Sequence, residues 1–166
     1  FGDPNVVRRN GPGCASPTRG VFGGGLTPSK ISDIQFITIS SKGNATKFGD
    51  LTVKEQGSSC GSNSIRGIFN GNSPGSASED IQAITIASEG NAFDFGNLTA
   101  AKRYGATPTS STRAVFAGGY QSPDNINIID SVEIATTGNA VDFGDMLMHS
   151  NGMSTMSDSH GGLGGF

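Results

Sequence analysis

The architecture is decided by residues 113–145, RAVFAGGYQSPDNINIIDSVEIATTGNAVDFGD, and by the earlier stretches that echo them. The opening motif recurs as Arg19-Gly20-Val21-Phe22, Arg66-Gly67-Ile68-Phe69 and Arg113-Ala114-Val115-Phe116, at steps of 47 residues, with a last echo at His160-Gly161-Gly162-Leu163. The closing motif runs Phe1-Gly2-Asp3, Phe48-Gly49-Asp50, Phe95-Gly96-Asn97 and Phe143-Gly144-Asp145, at steps of 47, 47 and 48. Gly43-Asn44-Ala45, Gly90-Asn91-Ala92 and Gly138-Asn139-Ala140 keep the same phase. Self-similarity at one fixed period is the signature of a repeat architecture.

Within one unit, Arg113 to Tyr120 is a short apolar run ending in a Gly pair. In Ile128 to Ala135, Val132 and Ile134 alternate with Ser131 and Glu133, the period-two pattern of a strand with one covered face. Gly138-Asn139 predicts a tight hairpin with φ > 0 at its centre, and Val141 to Met146 is the partner strand. Tyr104 to Ser111, small and polar, reads as a further strand. Four strands per unit match the blade of a β-propeller. The fold class expected is therefore all-β, with four-stranded antiparallel blades. Residues 1–166 form one repeat domain, with units at about 4–50, 51–97 and 98–145 and a partial unit at 146–166. Such thin sheets need to bury each other's faces. Phe22, Phe69 and Phe116, with Phe48, Phe95 and Phe143, are expected between the blades, joined by Ile37, Ile39, Ile84, Ile86, Val132 and Ile134.

Composition narrows the alternatives. Of 166 residues 26 are Gly, only 15 % are charged, and Trp is absent. Coiled coil, collagen and a membrane-spanning helix are excluded. A net charge of −3 without a basic cluster argues against nucleic acid as a partner. Cys14 and Cys60 make no disulfide framework and are too few for a Cys-x-x-Cys metal site. Phe1 follows no initiator Met and no signal peptide is visible, so the chain reads as starting in mid-protein.

Gly118-Gly119-Tyr120, Ser131-Val132-Glu133-Ile134, Phe143 and Arg103-Tyr104-Gly105 together resemble a kelch repeat, with Phe in place of the usual Trp. The wording of the repeats (TRGVFGGG from Thr18, the Ile-Thr-Ile runs before Gly-Asn-Ala, the Phe-Gly-Asp-Leu-Thr at Phe48) is similar to tandem repeats in large virion proteins of marine tailed phages. That resemblance covers nearly the whole chain. It implies a propeller fold and an extracellular or virion-surface location in a tail fibre or appendage, and it brings no catalytic residues.

Candidate chemistry is sparse. Ser157-Asp158-Ser159-His160 are sequence neighbours, whereas a catalytic triad converges from distant positions. His149 is the other histidine. Asp3, Asp50, Asn97 and Asp145 share one slot; each is read as capping its own turn rather than joining a Ca²⁺ ring. Gly23-Gly24-Gly25 and the Gly pairs after His160 lack the Lys-Ser/Thr of a phosphate loop. Asn44-Ala45-Thr46 and Asn97-Leu98-Thr99 match a glycosylation sequon, but Asn44 is read as a turn residue. Arg19, Arg66 and Arg113 are read as pairing with acidic neighbours, such as the Asp80 or Glu133 regions, rather than gripping a glycan.

The expectation is a non-catalytic structural and binding module without cofactor or metal. Three variable loops, Leu26 to Ser32, Asn70 to Glu79 and Gln121 to Asn127, would recognise a host-surface glycan or protein through Ser29, Lys30, Asn72, Ser73, Glu79, Gln121, Asp124 and Asn125. Self-association, or docking against neighbouring blades of a longer chain, would complete the ring. The alternatives are a subunit of an extracellular filament built by repeat-to-repeat association, and a polysaccharide-active enzyme.

Overall fold

The computed structural model describes residues 2–71 and 77–155. Among these residues the fold is all-β, with twelve strands and no helix. The first sheet contains β1 (Gly13–Ala15), β2 (Arg19–Gly23), β4 (Ser29–Thr38) and β5 (Thr46–Glu55), with the two-residue β3 (Leu26–Thr27) also pairing with β4. The second is β6 (Ser59–Ser62), β7 (Arg66–Asn70), β8 (Ser78–Thr85) and β9 (Phe93–Lys102), hydrogen-bonded in chain order. The third is β10 (Arg113–Gln121), β11 (Asp124–Glu133) and β12 (Val141–Asp145). All pairings are antiparallel. The strand expected over 104–111 is reduced to the bridges Ala106–Ala117 and Thr109–Ala114, where β1 and β6 pair in the other sheets.

Strand alternation gives each sheet two faces, and the faces meet in pairs. Val21, Ile34, Phe36, Phe48 and Leu51 of the first sheet pack on Phe69, Ile84 and Ile86 of the second. Ile68, Ile81, Ala83, Phe95 and Leu98 of the second pack on Ala114, Phe116, Val132 and Ile134 of the third. Each fully buried Phe or Ile contributes about 2–3 kcal/mol of burial, so the inter-sheet layers are the core. Phe22 and Phe143 depart from the expected layers, at 42 % and 55 % exposed, as does Ile39 at 44 %. Phe22 and Ile39 lie on the first sheet's outward face and Phe143 on the third sheet's, so no described sheet covers them.

The Phe-Gly-Asp and Gly-Asn-Ala motifs form one clasp made three times. The amides of Asp3, Asp50 and Asn97 donate to the Oδ1 atoms of Asn44, Asn91 and Asn139, at 2.9, 3.0 and 3.1 Å. In return the amides of Ala45, Ala92 and Ala140 donate to the carbonyls of Asp3, Asp50 and Asn97. The backbones approach so closely that a Cβ on Gly49 would stand 2.0 Å from the Gly90 oxygen, which is why the motif carries glycine. This corrects the expected tight Gly-Asn turn. The connections span residues 39–45, 86–92 and 134–140, and no motif Asn has positive φ. The Asn is selected for its side-chain acceptor. The Asp slot differs from expectation as well: Asp50 pairs with Lys47 at 2.9 Å, whereas the local side-chain bonds to backbone are Asp94 to Gly96 and Asp142 to Gly144, at the register shifts of β9 and β12.

A second column crosses the units. Asn10, Gly57, Tyr104 and Gly152 all have positive φ, at 55°, 68°, 55° and 67°. They stand 47, 47 and 48 residues apart in the sequence. Gly57 N–H donates to the Asn10 carbonyl, Tyr104 N–H to Gly57 and Gly152 N–H to Tyr104, at 3.0, 2.7 and 2.8 Å.

Candidate functional site

The hairpins β2–β4, β7–β8 and β10–β11 emerge at one end, beside the segments that cross to the next sheet. Arg9 exchanges backbone hydrogen bonds with Leu26, and Arg103 with Tyr120. The presumed loops are shorter than the sequence suggested. Much of residues 26–32 lies on β3 and β4, residues 78–79 lie on β8, and residues 121–127 are the ends of β10 and β11 around Ser122-Pro123. Alternating apolar residues carry the ladder to within a few residues of each tip.

The candidate binding residues fall on separate tips. Ser29 and Lys30 pair with Thr27 and Leu26 in the first hairpin, and Gln121 pairs with Asp124 in the third. Glu79 is exposed on β8. Asn72 and Ser73 lie outside the described residues. Asn125 is the most engaged: its carbonyl lies 2.8 Å from Nδ1 of His149, and its Oδ1 accepts from Nδ2 of Asn151 at 2.5 Å. Beside them the Arg103 guanidinium lies 5.0 Å from the Tyr120 ring centre.

Below the tips sits a set of ionisable groups that the sequence does not mark as related: Arg8, which as part of the adjacent pair Arg8-Arg9 reads as a solvated loop residue, with Glu55 and Lys102, at 47-residue steps. Arg8 donates to the carbonyls of Gly24 and Asp33, both at 2.8 Å, and to Asp33 Oδ1 at 2.6 Å. Lys102 is buried with Nζ 2.8 Å from Oδ2 of the buried Asp130, and donates to the carbonyls of Phe116 and Ile128. Burial lowers the Lys102 pKa, and Asp130 opposes that shift. Glu55 is fully buried against Gly71, with Oε2 accepting from Gln82 Nε2 at 3.1 Å. Burial pushes its pKa up to about 7, Asp80 adds to the rise, and Ser58 and Lys30 oppose it. Glu55 thus senses Lys30 of the first tip and Asp80 on β8. The signal that could have found these residues is three ionisable groups on the repeat beat in a chain poor in charge.

Arg66 departs from the expected acidic pairing and reaches the next sheet's carbonyl at Ile134, at 2.8 Å, whereas Arg19, which donates to the Ile86 carbonyl at 2.8 Å, keeps the expected acidic partner on the next sheet. Arg19 also lies 3.6 Å from Glu89, and Asp80 is engaged by Ser78 instead. Arg113 turns to Glu133 of its own sheet at 3.2 Å. Among the described residues no three His, Cys, Asp or Glu side chains cluster to hold a metal ion, and no helix is long and apolar enough to cross a membrane. His160 and its neighbours lie outside the described residues. No family model matches the chain, and no curated protein matches it significantly.

Proposed function

We propose that the chain is a kelch-like propeller segment acting without catalysis. In this reading it is a structural and binding part of a phage tail fibre or virion appendage, exposing its hairpin tips to a host-surface glycan or protein outside the cell. Support for the blade arrangement comes from spacing. Stacked sheets stand about 10 Å apart, yet equivalent residues along the Asn10–Gly152 column bond directly at 2.7 to 3.0 Å. A line of direct bonds between equivalent places in successive units is what blades set around an axis would give.

The observation that carries the binding role is the contrast between frame and tips. The clasps repeat with nearly identical hydrogen bonds, while the three tips differ in length and sequence. Rigid scaffolds with variable tips are the usual layout for recognition. The test is binding to a glycan array and to host-envelope fractions, with tip variants Lys30→Ala, Asn125→Ala and a replaced 72–76 segment. Binding should fall in at least one tip variant while the melting temperature holds. Binding unchanged by all three, or hydrolysis of the glycan, contradicts this role.

The filament reading draws on a separate feature. Phe22 and Ile39 on one terminal face, and Val141 and Phe143 on the other, are exposed halves of the interface already made twice inside the chain. Light scattering separates a discrete particle from an open polymer.

A further inference from the structure

We propose that Cys14 and Cys60 form a thiol–disulfide exchange site, which a small-molecule disulfide converts to a covalent staple between the first and second sheets.

Register places the two thiols face to face. Cys14 pairs with Val21, so its side chain lies on the face of the first sheet that packs against the second. Cys60 pairs with Phe69, on the face of the second sheet that packs against the first. Both cysteines are half-buried against the same apolar cluster. The Cys14 Sγ lies 2.8 Å from where a Cβ on Gly67 would stand, so it already touches the second sheet. The strands are tied beside the pair: the Ser62 hydroxyl bonds the Ala15 amide at 3.2 Å and the Ala15 carbonyl at 2.8 Å.

The repeat supplies an independent check. One period on, the places of Cys14 and Cys60 are taken by Gly61 and Thr107. There a Cβ on Gly61 would stand 3.0 Å from Thr107 Cγ2. The same relation at the first interface would bring the Cβ of Cys14 against the γ atom of Cys60, the closeness a disulfide requires.

In the reaction, one cysteine thiolate attacks a sulfur of the small disulfide and expels one equivalent of its thiol. The second cysteine, as thiolate, then attacks the protein sulfur of that mixed disulfide and expels the other equivalent. The protein loses two hydrogens as the reagent is reduced to two thiols. Burial, together with the neighbouring Cys14 thiol, raises the Cys60 pKa well above the ordinary thiol range. Exchange is therefore slow near neutral pH and quickens as pH rises.

The experiment treats the folded chain with oxidised glutathione at mildly alkaline pH, followed by intact mass, thiol titration and a non-reducing digest. The expected product is lighter by two hydrogens, has no free thiol, and yields one linked peptide pair containing Cys14 and Cys60. Its melting temperature is several degrees higher and falls back on reduction. Cys14→Ser and Cys60→Ser should each give no cross-link. A wild-type product carrying two glutathionyl groups, or one that keeps both thiols free, overturns the proposal. So does a cross-link that forms only after unfolding.

Discussion

The amide of Tyr104 donates to the carbonyl of Gly57 at 2.7 Å, and both residues hold the left-handed backbone conformation, at φ 55° and 68°. These residues occupy the same place in consecutive units. One bond therefore ties the second sheet's entry to the third's, and the Tyr104 ring lies over Gly57. A Cβ on Gly57 would stand 2.2 Å from that ring. Gly57→Ala should cost about 2–4 kcal/mol from backbone strain plus the clash, read as a lower urea midpoint. A Tyr104→Gly background should recover part of that loss.

Asn91→Ala removes the acceptor from the Asp50 amide and opens the clasp between the first two sheets. The expected loss is about 1–2 kcal/mol, by thermal or chemical unfolding. Asn91→Asp, which keeps the acceptor, should lose less. Equal losses in the two variants would assign Asn a role in the turn rather than in the clasp.

Glu55 makes stability depend on pH. Its folded pKa is raised from the ordinary carboxylate value of 4.5 to about 7, chiefly by burial, so the folded state holds a proton that the unfolded chain releases. This contribution is fully present below about pH 4.5 and is lost as pH rises through about 7. The fall is on the order of 3 kcal/mol. Glu55→Gln should flatten the profile across that window and melt higher than wild type at pH 8. A wild-type profile that rises from pH 5 to 8 would place a charged Glu55 in the fold.

Lys102 and Asp130 face each other in full burial. Asp130→Leu or Lys102→Met strands one charge and should cost about 3–5 kcal/mol. Lys102→Met with Asp130→Leu should recover most of the loss, because an apolar pair avoids desolvating two ions. The four melting curves form a double-mutant cycle, and additive losses would show that the pair is not coupled.

The repeat beat made the strand pattern and most of the buried layer legible, since Phe69, Phe95 and Ile134 needed only period-two alternation. It could not reveal that Phe22 and Phe143 face outward, because identical motifs sit in non-identical places where the stack stops. Asn44, Asn91 and Asn139 were visible as a motif but misassigned, since a turn signal is local and their bonds span 41 or 42 residues. Arg8, Glu55 and Lys102 do not show as one set in the sequence because the slot keeps its polarity while changing its charge.

The cross-unit column is tested most directly by NMR, through scalar couplings transmitted across hydrogen bonds. The account predicts correlations from the amide nitrogen of Gly57 to the carbonyl carbon of Asn10, from Tyr104 to Gly57, and from Gly152 to Tyr104, with slow amide exchange at each. Correlations from these amides to carbonyls within their own units, or rapid exchange at all three, would contradict it.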